Sequence, residues 1–231
     1  MNIGGLLKTS LIDFPGTICA VVYTSGCNFR CPFCHNPDLV IPARYRTLIS
    51  EDDFFSFLKK RQGQLEGITV TGGEPLMHAD APEFLRQIKS FGYKVKLDTN
   101  GSFPQMLKSV LEEGIVDYVA MDVKAPNGKY ARLAGVAVDL AAIEESISLI
   151  KTLAPDYEFR TTVAKTLLSP EDIRDIIAMI APAKRYVVQR FRCEDDIIDG
   201  SIAEQIFKDP EFVIFSNAVK SYVGSNAVHF R

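Results

Sequence analysis

Two rhythms of apolar and polar positions take turns along this 231-residue chain. Short apolar runs at 17–24, 67–71, 94–98, 116–123, 157–163 and 185–191 have the length of strands, most of them bounded by Gly, Pro, Asn or Asp turn signals. Between them, apolar residues recur every three to four positions and predict helices over 50–62, 82–91, 104–113, 140–153 and 169–180. The starts are chemically marked. Ser50 precedes Glu51, Asp52 and Asp53, which suit the positive end of a helix, and Ser169 precedes Pro170 at a first helical position. The turn signal Asp13-Phe14-Pro15-Gly16 closes a short lead, and the tail carries helical stretches near 202–207 and 210–222 and a short apolar end at 227–230.

Strands alternating with helices predict a parallel sheet with right-handed crossovers, an α/β fold. Six βα units fall short of the eight that close a full barrel, so the pattern implies an open partial barrel or a doubly wound sheet. No long linker or low-complexity segment interrupts it. The chain therefore reads as a single domain, 1–231, with an N-terminal lead at 1–16, six βα units at 17–191 and a C-terminal helical tail at 192–231.

Composition narrows the function. An apolar fraction of 47% supports a packed core, while no apolar run approaches the roughly 20 residues of a membrane span. Met1–Ser10 has no signal-peptide core, so the expected location is the cytoplasm. A net charge of −3 gives no footprint for nucleic acid.

The five cysteines change the picture most. An odd number, with Cys27, Cys31 and Cys34 crowded into one segment, is unlike a disulfide framework and points to metal or redox chemistry. Cys19, inside the run Ile18-Cys19-Ala20-Val21-Val22, reads as a small buried hydrophobe, and Cys193 receives no role. Three thiolates spaced C-x3-C-x2-C can wrap one cuboidal iron–sulfur cluster and leave one iron without a protein ligand, whereas ordinary electron-transfer [4Fe–4S] clusters take four cysteines. Open coordination is what distinguishes catalytic from closed structural metal sites. Two alternatives stand beside this: a zinc site adding His35, and a fourth thiolate from Cys193.

With Phe33 before the last cysteine, this segment resembles the signature of the radical S-adenosylmethionine (SAM) superfamily, and His35-Asn36-Pro37 resembles the Cys-His-Asn ending of its glycyl-radical-enzyme activases. The resemblance covers most of the chain. It implies a partial (β/α)6 barrel and reductive cleavage of SAM at a [4Fe–4S] cluster held by Cys27, Cys31 and Cys34, giving a 5′-deoxyadenosyl radical. Gly72-Gly73-Glu74-Pro75 resembles the family segment that binds the methionine amino group. Glycines there let backbone approach an ammonium group, and Glu74 can add a charge-assisted hydrogen bond or order the loop. Leu97-Asp98-Thr99-Asn100-Gly101 and Met121-Asp122-Val123-Lys124 resemble segments beside the cofactor's carboxylate and ribose, which nominates Thr99, Asp122 and Lys124. Asp98 and Asn100 have turn-shaping as an equal explanation, and the two aspartates call for a compensating cation or Lys124. Arg160 and Thr162 share one face of a strand and could meet the cofactor carboxylate, Gln189 is a weaker candidate, and Phe33 matches the position that contacts the adenine.

The lead Ser10-Leu11-Ile12-Asp13-Phe14-Pro15-Gly16 resembles the Asp-Gly-Pro-Gly lead of activating enzymes, departing at Phe14 and at Ile18, where an Arg is common. Taken together the features are most similar to anaerobic ribonucleoside-triphosphate reductase activating proteins. That implies a glycyl-radical enzyme as partner and, because no cysteine lies between Cys34 and Gly72, electrons from an external donor such as flavodoxin or ferredoxin. The competing expectations are a small-molecule enzyme similar to carboxy-deazaguanine synthases, and a non-catalytic electron carrier with a fourth cluster ligand.

Overall fold

A computed structural model describes residues 1–192, 196–202, 204–223 and 228–231, with the side chain of residue 223 excepted. Cys193 lies outside the described residues. The chain begins with strands β1 (Ile3–Ser10) and β2 (Cys19–Thr24), the short helix α1 (Pro37–Val40), helix α2 (Glu51–Arg61) and β3 (Gly67–Gly72). It continues through α3 (Ala81–Ser90), β4 (Lys94–Thr99), α4 (Pro104–Glu112), β5 (Tyr118–Asp122), α5 (Tyr130–Ala134) and α6 (Leu140–Leu153). The last elements are β6 (Tyr157–Val163), α7 (Pro170–Ile180), β7 (Tyr186–Arg190), α8 (Asp209–Val223) and β8 (His229–Phe230).

Among the described residues eight strands form one sheet in strictly sequential order. A doubly wound sheet would reverse order at a switch point; here each crossover advances in one direction, the winding of a barrel, and β1 and β8 remain unpaired with each other. Strands β2 to β8 run parallel, while β1 pairs antiparallel with β2. The α/β expectation and its partial barrel therefore hold. The lead and the tail each add a strand that periodicity did not reveal. β1 is hidden by Gly4-Gly5 and by two irregularities in its register, and β8 is only two residues long.

Helix ends follow their capping chemistry. Ser50 accepts from the Asp53 N–H, and Ser169 with Asp172 forms a reciprocal capping box. The expected helix at 202–207 does not form. A 3-10 turn ends at Ile202, the Gln205 carbonyl is taken by the Lys165 N–H at 3.0 Å, and Phe207 leaves helical register to pack on Phe212 and Phe215.

Because strand side chains alternate, the sheet buries two separate sets. Ala20, Val22, Ile68, Val70, Val95 and Leu97 face the helices and form the main core. Cys19, Val21, Tyr118 and Ala120 face the concave side, where Phe14 from the β1–β2 loop closes the end at which the parallel strands start. Above that plug the concave face turns polar and charged, toward the strand ends where βα loops gather.

Candidate active site

The cysteine loop follows β2 and is held by backbone bonds on several sides. Gly26 N–H donates to the Leu39 carbonyl at 2.7 Å, Glu74 N–H to the Gly26 carbonyl at 2.8 Å, Arg30 N–H to the Ala134 carbonyl at 2.7 Å, and Asp199 N–H to the Pro32 carbonyl at 3.0 Å. Arg30 folds its guanidinium back onto the Cys27 and Phe29 carbonyls at 2.6 and 2.7 Å. Glycine is required where chains touch: a Cβ on Gly73 would meet the Gly26 carbonyl oxygen at 1.9 Å, and one on Gly135 the Arg30 carbonyl oxygen at 2.0 Å. Cys27, Cys31 and Cys34 line one cavity, open to solvent on one side. The Gly72-Gly73 turn, Phe33, Thr99, Asp122, Lys124, Arg160 and Thr162 line the same cavity.

A layer of alternating charge forms the cavity floor. Register puts Asp122 opposite Arg160, and the Arg160 guanidinium donates to Asp122 Oδ1 at 2.9 Å and to Asp98 Oδ2 at 3.1 Å. Lys124 Nζ donates to Asp122 Oδ2 at 3.1 Å, and Lys96, only 2% exposed, pairs with Asp98. Burial pushes both carboxyl groups upward. Their cationic neighbours, Arg160 and Lys96 at Asp98 and Arg160 and Lys124 at Asp122, outweigh it and hold both below the ordinary range. Burial likewise disfavours the charges on Lys124 and Arg160, yet the aspartates raise both above their ordinary values. Asp98, Asp122, Lys124 and Arg160 line the cavity, two carboxylates against two cations, and the buried Lys96 adds a third cation to the layer without lining it. Lys124 and Arg160 are the cations of this layer within reach of an anionic group in the cavity. The compensation that the two aspartates called for comes from Lys96, Arg160 and Lys124.

The family model for the radical SAM superfamily matches residues 21–183. This chain belongs to the radical SAM superfamily. A protein of Methanocaldococcus jannaschii named as a glycyl-radical enzyme activating enzyme is 32% identical over 84% of this chain and 81% of its own length. The 7-carboxy-7-deazaguanine synthase of Halobacterium salinarum is 28% identical over 79% of this chain and 69% of its own. The crystal structure of Streptococcus suis SuiB bound to precursor peptide SuiA superposes with a TM-score of 0.72 at 14% identity, covering 91% of this chain. The chain spans about half of that structure, 48%, and the likeness shows the fold.

Radical SAM membership implies SAM and a [4Fe–4S] cluster, and the donor set fits both. Among the described residues no group of three or more His, Cys, Asp and Glu could share a single metal ion. Cys27, Cys31 and Cys34 line one cavity, where three thiolates would each hold a separate iron of one cluster. Burial pushes all three thiols up, Cys27 to about 12, so the thiolate form needs metal charge beside it. His35 is engaged elsewhere: its ring stacks on Phe191 at 5.2 Å and its Nε2 is 2.6 Å from the Arg192 carbonyl.

Glu74, although nominated, does not line the radical SAM cavity. It is fully buried and accepts from Thr99 Oγ1 at 2.9 Å, Asn100 N–H at 2.6 Å and Leu76 N–H at 3.1 Å. It orders the β4 loop. Gln189 also lies off the cavity, beside Thr162 in register. Lys124 Nζ sits 6.0 Å from the Phe33 ring centroid and ties the two nominations together. Lys96 and the side-chain network of Asn28, Asn100 and Ser102 were missed. Lys96 was readable, since Lys96 and Asp98 are two apart on a strand and share a face; the network spans two loops distant in sequence.

Proposed function

We propose that Cys27, Cys31 and Cys34 ligate a [4Fe–4S] cluster, and that the chain uses SAM bound beside it to generate a glycyl radical on a partner, anaerobic ribonucleoside-triphosphate reductase. The observation that carries this is the meeting, in one cavity, of three cluster-spaced thiols, a glycine turn and the paired cations Lys124 and Arg160. Cluster and SAM together supply a 5′-deoxyadenosyl radical that removes a hydrogen atom. The protein's part is positioning. The Gly72-Gly73 backbone receives the methionine ammonium group, Arg160, Lys124, Thr99 and Thr162 face the carboxylate and ribose with Asp122 holding the two cations apart, and Phe33 packs on the adenine. Glu74 acts indirectly, by fixing Thr99 and the Asn100 N–H. Electrons come from an external donor such as flavodoxin or ferredoxin.

A glycine target is supported by the activating-enzyme relative, similar over 84% of this chain, and by the chemistry of glycine, whose Cα radical is delocalised into flanking amides with no side chain in the way. The second reading, a small-molecule enzyme, is supported by the carboxy-deazaguanine synthase relative at 28% identity. Electron paramagnetic resonance separates them. Reduced protein, SAM and the anaerobic reductase should give a doublet that collapses to a singlet when the partner's glycine Cα is deuterated. SAM cleavage with no partner radical, across the glycyl-radical enzymes of the source organism, defeats the reading.

A further inference from the structure

Asn28 follows Cys27 on the cysteine loop, while Asn100 and Ser102 follow β4, yet their side chains close a ring. Asn28 Nδ2 donates to Ser102 Oγ at 2.9 Å, Ser102 Oγ donates to Asn100 Oδ1, and Asn100 Nδ2 donates to Asn28 Oδ1 at 2.9 Å. The Ser102 backbone N–H adds a second bond to Asn100 Oδ1 at 2.9 Å. An asparagine that only shapes a turn uses its oxygen in this way and leaves its nitrogen to water. Asn100 is 6% exposed, and its nitrogen points inward. A carboxamide nitrogen carries two N–H groups; Asn28 takes one, and the Cys27 sulfur lies 3.9 Å away, within reach of the other. The ring also fixes the amide's direction. A flipped Asn100 would set its oxygen against Asn28 Oδ1 and its nitrogen against the Ser102 donors.

Cys27 sulfur accepts a second bond, from the Phe29 N–H at 3.4 Å. That donor belongs to the cysteine loop itself and comes with any chain that curls this way. The Asn100 donor reaches in from another strand end. Among the described residues neither Cys31 nor Cys34 receives a side-chain hydrogen bond at sulfur. One ligand of three is thus singled out.

We propose that the Asn28–Ser102–Asn100 ring holds the Asn100 amide as a donor to the Cys27 thiolate and so raises the reduction potential of the cluster that this sulfur ligates. The inference rests on the cluster reading above. Its physical basis is that an N–H dipole aimed at a ligand sulfur stabilises the extra electron of the reduced cluster, one of the terms that set iron–sulfur potentials. Asn100 is a positioning residue that acts through Cys27. For a protein dependent on an external one-electron donor, a higher potential eases the first electron transfer.

The test compares wild type, Asn100→Ala, Asn100→Asp and Ser102→Ala after anaerobic reconstitution, reading iron content, midpoint potential and, by pulsed resonance in D2O, the coupling of exchangeable deuterons to the reduced cluster. Asn100→Ala should keep its iron, shift to a more negative potential and lose one coupling. Asn100→Asp should shift further, because an oxygen replaces the donor, and Ser102→Ala should shift less in the same direction. Should Asn100→Ala lose its iron, the same readings on Ser102→Ala decide. Wild-type potential and coupling in the iron-loaded variants overturn the inference and leave the cluster reading standing. A wild-type chain that takes up no cluster overturns both.

Discussion

Glu74 shows how a residue can belong to a site without touching its contents. Burial pushes its carboxyl up to about 7 from an ordinary 4.5, against the pull of three hydrogen-bond donors that favour the ionised form. A carboxyl raised by folding stabilises the fold fully below its unfolded value, and that contribution is lost as pH rises through the folded value. The window therefore runs from about 4.5 to just above 7, and the loss across it is about 3 kcal/mol. His78 works oppositely over part of the same range, since burial lowers it and its contribution is lost as pH falls. The comparison that isolates Glu74 is thus wild type against Glu74→Gln. In urea unfolding the stability of wild type relative to the variant should fall by about 3 kcal/mol between pH 4.5 and 8; parallel curves would show Glu74 ionised in the fold throughout. The sequence marked Glu74 by its motif and offered two roles, and the side chain takes the loop-ordering one. Motif and strand alternation pick out residue types and faces, as they did for Arg160 with Thr162. They say nothing about which of two neighbouring loops a carboxylate will satisfy, because that depends on a backbone N–H from β4.

At the scale of elements, the Gly72-Gly73 turn has more than one task. From sequence, Gly73 reads as room for a ligand. In the fold its missing side chain lets the end of β3 lie against the cysteine loop, with the Gly26 carbonyl 1.9 Å from where a Cβ would stand. Helix α5, which no periodicity announced because it is only five residues long, buttresses the same loop through the Ala134 carbonyl and Gly135. Gly73→Ala should therefore displace the cysteine loop and lower iron loading as well as SAM affinity. Gly128→Ala, with nothing within 4 Å of its Cβ and no positive φ, should leave both unchanged. The measurement is iron per chain after reconstitution alongside calorimetric SAM binding. Full iron loading with weakened SAM binding in Gly73→Ala would mean that the turn serves the ligand alone. The long elements were legible because each carries several turns or pleats of pattern and a chemical cap. The short buttress was not, because its residues are chosen by the loop they support.

The whole molecule stacks three kinds of layer along one concave face. An apolar plug sits where the parallel strands begin, a charged layer of Lys96, Asp98, Arg160 and Asp122 lies above it, and the cysteine loop covers the far end. The charged layer is desolvated on its lower side by the plug, and its pairing offsets that cost. Phe14 seals that side. It is 4% exposed, its ring lies 5.9 Å from Tyr118, and its neighbours Leu11 and Ile12 are left 73% and 82% exposed, so the chain commits one aromatic of the loop to the interior. Phe14→Ala should cost about 3–5 kcal/mol of stability. It should also open a path to Cys19, which is 0% exposed and accepts from Thr69 Oγ1 at 3.7 Å. Labelling of Cys19 by a thiol reagent, followed by peptide mapping on the cluster-loaded protein, should accelerate by roughly a hundredfold to a few thousandfold if opening follows the lost stability. Ile12→Ser, at an exposed position of the same loop, should change neither stability nor labelling. A destabilised Phe14→Ala whose Cys19 labels at the wild-type rate would place the seal elsewhere, at Tyr118 or in the β2–β3 pairing itself.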